Sequence, residues 1–298
     1  MNNKVLLSYI SVVLIWSTTP LAIVWSTDSV PPSMAVLLRM TIAIILGLLV
    51  IWLKRIAFPW HRKAILLYAY SAMGIFGGMI LVYLAARYIA SGTISLIFGL
   101  APILSGLLAV KILGDSPFSW IRKLALLVAV LGLGVVFSKN LGVNFSDWPG
   151  YLFILFSVFF FCLSGVLVKS VSILISPVAT TVGALLLSWP CFLLAWIFMD
   201  GTLDYESWSS RAIYAITYLG VMGSFIGFVA YYYILQQLSA TTVALLTLMT
   251  PVLAILLGVF LNGESFTLHL FIGATLVLSG LLLYHFGERW LNQRKRLD

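Results

Sequence analysis

The chain has 298 residues, 62% of them hydrophobic and only 9% charged, with a formal net charge of +8 and a mean hydropathy of +1.12. A soluble domain carries about 25% charged residues, so the composition excludes one and marks an integral membrane protein. The segments between apolar runs are too short for a soluble catalytic or nucleic-acid-binding domain, and the basic residues do not gather on one element, which argues against a nucleic-acid partner.

Apolar runs long enough for a helix to cross a hydrocarbon core of about 30 Å follow one another along the chain. The first, 5–25, begins after Lys4 like a secretory signal, but it has no small-residue cleavage site and nine further runs follow. Halfway along it lie Trp16, Ser17, Thr18 and Thr19. Hydroxyls can bond back to their own helix, yet lipid contact explains a Trp beside three of them poorly, and they are expected to line a cavity.

The second run, 33–53, holds Arg39 about 9 Å below the membrane surface at about 1.5 Å per residue. An intramembrane charge is a functional hypothesis by default; the alternatives are snorkelling toward Asp28 or binding helix carbonyls. The third run, 64–86, carries Gly74, Gly78 and Tyr83, and the fourth, 92–112, has Phe98 and a mid-span Pro102 before a Gly114-Asp115 turn. A proline frees carbonyls one turn earlier, around Phe98 here, and in lipid these need protein or a wet cavity.

Runs five to eight are 120–138, 150–168 with Cys162 and Ser164, 177–199 with Cys191, and 212–235 with Gly223, Gly227 and Tyr231 to Tyr233. No disulfide is expected between two cysteines inside spans. The tyrosines read either as an interfacial belt or, for Tyr83 and Tyr232, as a gate. Run nine, 240–261, holds Thr247, Thr250 and Pro251 before Gly263-Glu264, and run ten is 266–286. None shows the alternating pattern of an outer-membrane barrel, which leaves helices.

Shifting the chain by 149 residues superposes Arg62 on Arg211, Gly74 on Gly223, Gly78 on Gly227, Tyr83 on Tyr232, Thr93 on Thr242, Pro102 on Pro251 and Gly114 on Gly263, with Asp115 meeting Glu264. Gly, Pro, Tyr and an acid in one register are not expected by chance, so the chain is a tandem duplication with five spans per copy. An odd number of spans turns the second copy over relative to the first. The expected fold is all-α, ten transmembrane helices as two inverted five-helix repeats, 5–138 and 150–286, with a cytoplasmic basic tail at 287–298.

Lys4, Lys54, Arg55, Arg62, Lys63, Lys111, Arg122, Lys123, Lys169, Arg289, Arg294, Lys295 and Arg296 fall on the side of the N-terminus, against Arg87, Lys139 and Arg211 on the other. By the positive-inside rule both termini are expected in the cytoplasm.

The apolar first helix with Trp16 to Pro20, Arg39 in the second, Pro102 in the fourth and the paired Gly-acid turns together resemble the EamA-type module of the drug/metabolite transporter superfamily, present here twice. The second copy departs from the first at Ala184, opposite Arg39, and at Phe161 or Cys162, opposite Trp16. The resemblance implies a ten-helix carrier of small organic solutes in the cell inner membrane, with a central cavity lined mainly by helices 1, 3, 4, 6, 8 and 9.

The residues expected to meet the substrate are Trp16, Ser17, Thr18, Arg39, Tyr83, Phe98, Pro102, Ser164, Tyr231, Tyr232, Thr247, Thr250 and Pro251. No catalytic or metal site and no cofactor is expected; the expected partners are a small-molecule substrate and the lipid bilayer, with no nucleic acid, and the sequence leaves the oligomeric state open, a monomer being compatible with it. An intramembrane enzyme would need a clustered catalytic set, whereas His61, His269 and His285 are scattered; a receptor or assembly factor would need larger loops. A channel remains the other alternative. No Asp or Glu lies in the hydrocarbon part of a span, so coupling through a buried carboxylate is not expected.

Overall fold

The computed structural model of the chain describes residues 3–138, 147–239, 243 and 246–294, with 247–249 and 288–294 described by backbone alone. Every regular element among these residues is helical. In chain order they are α1 (Asn3–Ser26), α2 (Pro32–Lys54), α3 (Arg62–Ala85), α4 (Ser91–Phe98), α5 (Ala101–Ile112), α6 (Trp120–Ser138), α7 (Trp148–Ser170), α8 (Pro177–Met199), α9 (Ser210–Tyr218), α10 (Gly227–Gln237), α11 (Leu246–Asn262) and α12 (Leu268–Arg294). A π-helical stretch, Leu219–Ile226, joins α9 to α10, so Ser210–Gln237 is one continuous passage.

Eight helical passages among the described residues are long and apolar enough to cross a membrane: α1, α2, α3, α4 with α5, α7, α8, α9 through α10, and α12. The expected spans at 120–138 and 240–261 correspond to α6 and α11, helices outside those eight. Large apolar side chains such as Leu7, Trp52, Leu131, Phe198 and Phe260 lie on outer faces, where a membrane protein meets lipid tails.

Local chemistry repeats between the halves. Pro32 and Pro177 open α2 and α8, where a missing N–H costs nothing because the first turn leaves it unbonded. Gly114 (φ +73) and Gly263 (φ +63) take the left-handed conformation after α5 and α11. The following amides each reach back six positions, Asp115 N to Ala109 O at 3.4 Å and Glu264 N to Gly258 O at 3.1 Å, so both helices close with the same backbone bond beside a left-handed glycine.

The two prolines act differently. Pro102 sits in the first turn of α5, after α4 has stopped at Phe98, whereas Pro251 lies inside a continuous α11. The mid-span kink expected at Pro102 is therefore an interruption at Gly99 and Leu100.

Packing follows a regular scheme: α3 lies on α7 and α8, while α9 through α10 lies on α1 and α2; α1 packs on α11 and α5 on α7; α2 meets α8, α4 meets α11 and α6 meets α12. Lipid tails are as apolar as Leu, so such contacts depend on close backbone approach. Gly132, Gly273 and Gly280 provide it between α6 and α12, where an added Cβ would stand 2.7 to 2.8 Å from the facing backbone. Between α3 and α7, Ser164 fills the space beside Gly74 and Ser157 Oγ donates to Gly78 O at 2.6 Å.

Candidate functional site

A cavity of about 70 Å³ lies where both halves meet. α1 contributes Trp16, Thr19 and Ile23, α3 Met79 and Val82, and α4 Ser95 and Phe98. The second half adds Phe161 from α7, Phe228 from α10 and Thr250 from α11. These helices are the expected ones, with one addition: α2 enters the wall through Arg39.

Arg39 is 1% exposed. Its Nε donates to Ser224 Oγ at 2.7 Å, and its guanidinium carbon stands 5.9 Å from the centre of the Tyr83 ring, within range of a cation–π attraction. Nη1 and the Tyr83 hydroxyl are both buried, with no hydrogen-bond partner among the described residues. Asp28, the expected alternative partner, forms its ion pair with Arg211 instead.

Two glycines make room for this arrangement. A Cβ at Gly223 would stand 3.2 Å from Arg39 Nη2, and one at Gly227 would stand 3.0 Å from Trp16 Nε1. Gly74 and Gly78 thus admit a neighbouring helix, while their repeat counterparts admit two side chains of the cavity wall. The same stretch is π-helical and presents Ser224 to Arg39; π turns recur at functional sites. Ser224 gave no sequence signal, since one serine in an apolar span is unremarkable and nothing in the sequence marks a π turn.

Aromatic rings run from the cavity toward the Tyr232 end of α10. Phe161 packs against Phe98 (5.9 Å between centroids), Trp16 (5.6 Å) and Tyr231 (5.4 Å), and Tyr231 against Tyr232 (5.2 Å). Tyr232 belongs to a second, wider pocket of about 540 Å³ near the ends of α7 and α10, with Lys169, Thr180 and Gln236 in its wall. Tyr83, Tyr231 and Tyr232 are buried, so a belt at the lipid surface does not account for them.

Of the thirteen residues expected from sequence, Trp16, Arg39, Phe98 and Thr250 border the cavity. Tyr83 and Tyr231 pack one layer behind it. Ser17 turns away, its Oγ donating to Val13 O at 2.6 Å, and Thr18 bonds Ile15 O and the Tyr218 hydroxyl at the edge of a lateral groove. Ser164 packs on Gly74, Pro102 is buried in the first turn of α5, and Pro251 touches the bend at Gly99. The side chain of Thr247, residue Thr242 and the tail at 295–298 lie outside the described residues. Cys162 is buried and Cys191 exposed, and both are free.

A bundle of membrane-length apolar helices around an interior cavity is the architecture of a multi-pass membrane protein. The chain belongs to the EamA-like transporter family, within the drug/metabolite transporter superfamily: the family's profile matches residues 3–138 and again 148–286. It is similar to the Uncharacterized transporter YoaV of Bacillus subtilis, 24% identical over 95% of this chain and 97% of that one. An Uncharacterized transporter of Archaeoglobus fulgidus is 26% identical over 90% of this chain and 94% of its own length. A crystal structure with 20% identity superposes at a TM-score of 0.71 over 98% of this chain and 99% of its own, a likeness of fold.

Proposed function

We propose that the protein is a secondary transporter, an exporter or facilitator of a small organic metabolite such as an amino acid or related solute, working by alternating access. In this reading α6 and α11 also cross the bilayer, giving ten spans. The first five and the last five are inverted repeats, and both termini face the cytoplasm of a cell whose inner membrane holds the protein.

The observation that carries the proposal is the packing scheme. Exchanging α1 with α7, α2 with α8, α3 with α9 through α10, α4 and α5 with α11, and α6 with α12 turns the set of principal contacts into itself. Such two-fold relation between halves, with a cavity between them, is how inverted-repeat carriers expose one site alternately to two sides. The cavity as it stands is far below the roughly 300 Å³ of a small-molecule pocket, so binding in it requires one end to open.

The two ends differ in how they are held. Glu264 accepts from Ser91 Oγ at 2.6 Å, Ser91 N at 3.1 Å and Gly92 N at 3.2 Å, clasping the start of α4. Beside it, Trp25 Nε1 donates to Asn262 Oδ1 at 2.8 Å, Arg211 pairs with Asp28 and Ser33 bonds Asp200. Asp115, the repeat counterpart of Glu264, is exposed. We read the Glu264 end as closed and external, and the wide pocket beside Tyr232 as the cytoplasmic vestibule.

Metabolite profiling of cells with and without the protein, followed by uptake of the leading candidate into vesicles, tests this function. A solute whose uptake needs the protein and saturates supports it. Uptake that rises linearly with concentration and does not saturate points to a channel.

A further inference from the structure

Arg39 brings a full charge into a cavity otherwise walled by aromatic and aliphatic side chains and a few hydroxyls. No Asp or Glu borders the cavity or pairs with it among the described residues. One donor, Nε, is held by Ser224 Oγ; among the described residues Nη1 has no partner, and the hydroxyl of the adjoining Tyr83 has none either. A charge at such depth is costly unless something compensates it, and a cation–π contact at 5.9 Å compensates it only in part.

We propose that the central cavity is an anion site in which Arg39 binds the carboxylate of a monoanionic substrate, whose apolar or aromatic body lies against Trp16, Phe98, Phe161 and Phe228. This rests on the transporter reading and narrows its solutes to carboxylates that lack an ammonium group, since the cavity wall holds no acid to offset the ammonium of an amino acid. The charge count sets the class: the wall carries one formal positive charge, so a monoanion is neutralised, while a phosphate dianion leaves an unpaired charge buried. A cation meets Arg39 with no carboxylate to offset it. A guanidinium whose Nε is already fixed presents its Nη groups in a set direction, and a carboxylate matches that planar donor face. Ser224, held by the π turn, is a positioning residue in this scheme.

The test uses the purified full-length protein in detergent and in proteoliposomes. The probes are benzoate, phenylacetate and 4-methylpentanoate, each compared with its amide, its amine analogue and, for the aromatic body, phenyl phosphate. In thermal unfolding the carboxylates are expected to raise Tm and to bind at least tenfold tighter than the matching amides, with no stabilisation by amines. Arg39→Lys keeps a reduced preference and Arg39→Gln abolishes it.

Stabilisation by amides or amines equal to that by carboxylates overturns the proposal, and this arm needs no variant to fold. A carboxylate preference that survives in folded Arg39→Gln overturns it as well. Exchange in vesicles separates this proposal from the carrier reading. Exchange confined to neutral or cationic solutes removes the anion site and leaves the carrier, whereas no exchange by any of the classes removes both.

Discussion

The arrangement around Arg39 depends on single atoms. Ser224 Oγ accepts from its Nε, and Gly223 leaves just enough space for Nη2. Ser224→Ala strands a buried charged donor, a loss of about 1–3 kcal/mol, and is expected to lower the unfolding temperature in detergent; an unchanged temperature contradicts the bond. Gly223→Ala keeps Ser224 but crowds Nη2, and is expected to weaken substrate affinity more than it lowers stability, as read by comparing half-saturation with unfolding temperature.

Arg39 stood out in the sequence because a charge inside an apolar run is costly, although the run alone left snorkelling and carbonyl binding open. Ser17 and Thr18 lie outside the wall of the central cavity, and their polarity is satisfied locally, by Val13 O, Ile15 O and Tyr218. One-dimensional polarity does not say on which side of a helix a hydroxyl finds its partner.

At the scale of elements, the duplicated signals gave the right local structures and unequal uses. The Gly-acid turns end α5 and α11 with the same backbone bond, yet Glu264 clasps α4 while Asp115 is exposed. Two prolines in one register yield a broken passage in one half and a continuous helix in the other. What distinguishes the copies is which neighbour each meets in this conformation, and a sequence repeat carries no information about that.

The Glu264 clasp has a direct consequence. Replacing a carboxylate that caps a helix start by Ala costs about 0.5–2 kcal/mol, and a change of about 1–2 kcal/mol moves a two-state ratio about 5- to 30-fold. In a background lacking Cys191, the reporter Thr19→Cys is expected to react several-fold faster with an impermeant thiol reagent added at the Glu264 side when Glu264→Ala is present. An unchanged rate contradicts a closing role for the clasp.

For the whole molecule, the repeats and the charge bias give an orientation that labelling can check. A cysteine at Asp204 is expected to react with an impermeant reagent outside the cell, and one at Arg55 is not. Outside reaction at both removes the inverted arrangement. Membership in the EamA-like transporter family and the helical nature of the chain were legible because composition, run length and repeat register act along the sequence. The meeting of Arg39 with Ser224, 185 residues apart, was not.

The most direct measurement of the central claim, a carrier with one site shared by two inverted halves, is counterflow in proteoliposomes at clamped potential. Voltage must be fixed because a charged substrate gains about 2.3 kcal/mol per charge per 100 mV. Vesicles preloaded with unlabelled substrate are expected to accumulate external label transiently, saturably and without an imposed proton or sodium gradient, in wild type and in His285→Ala alike. Label that equilibrates without transient accumulation, or accumulates only when an ion gradient is imposed, contradicts the account.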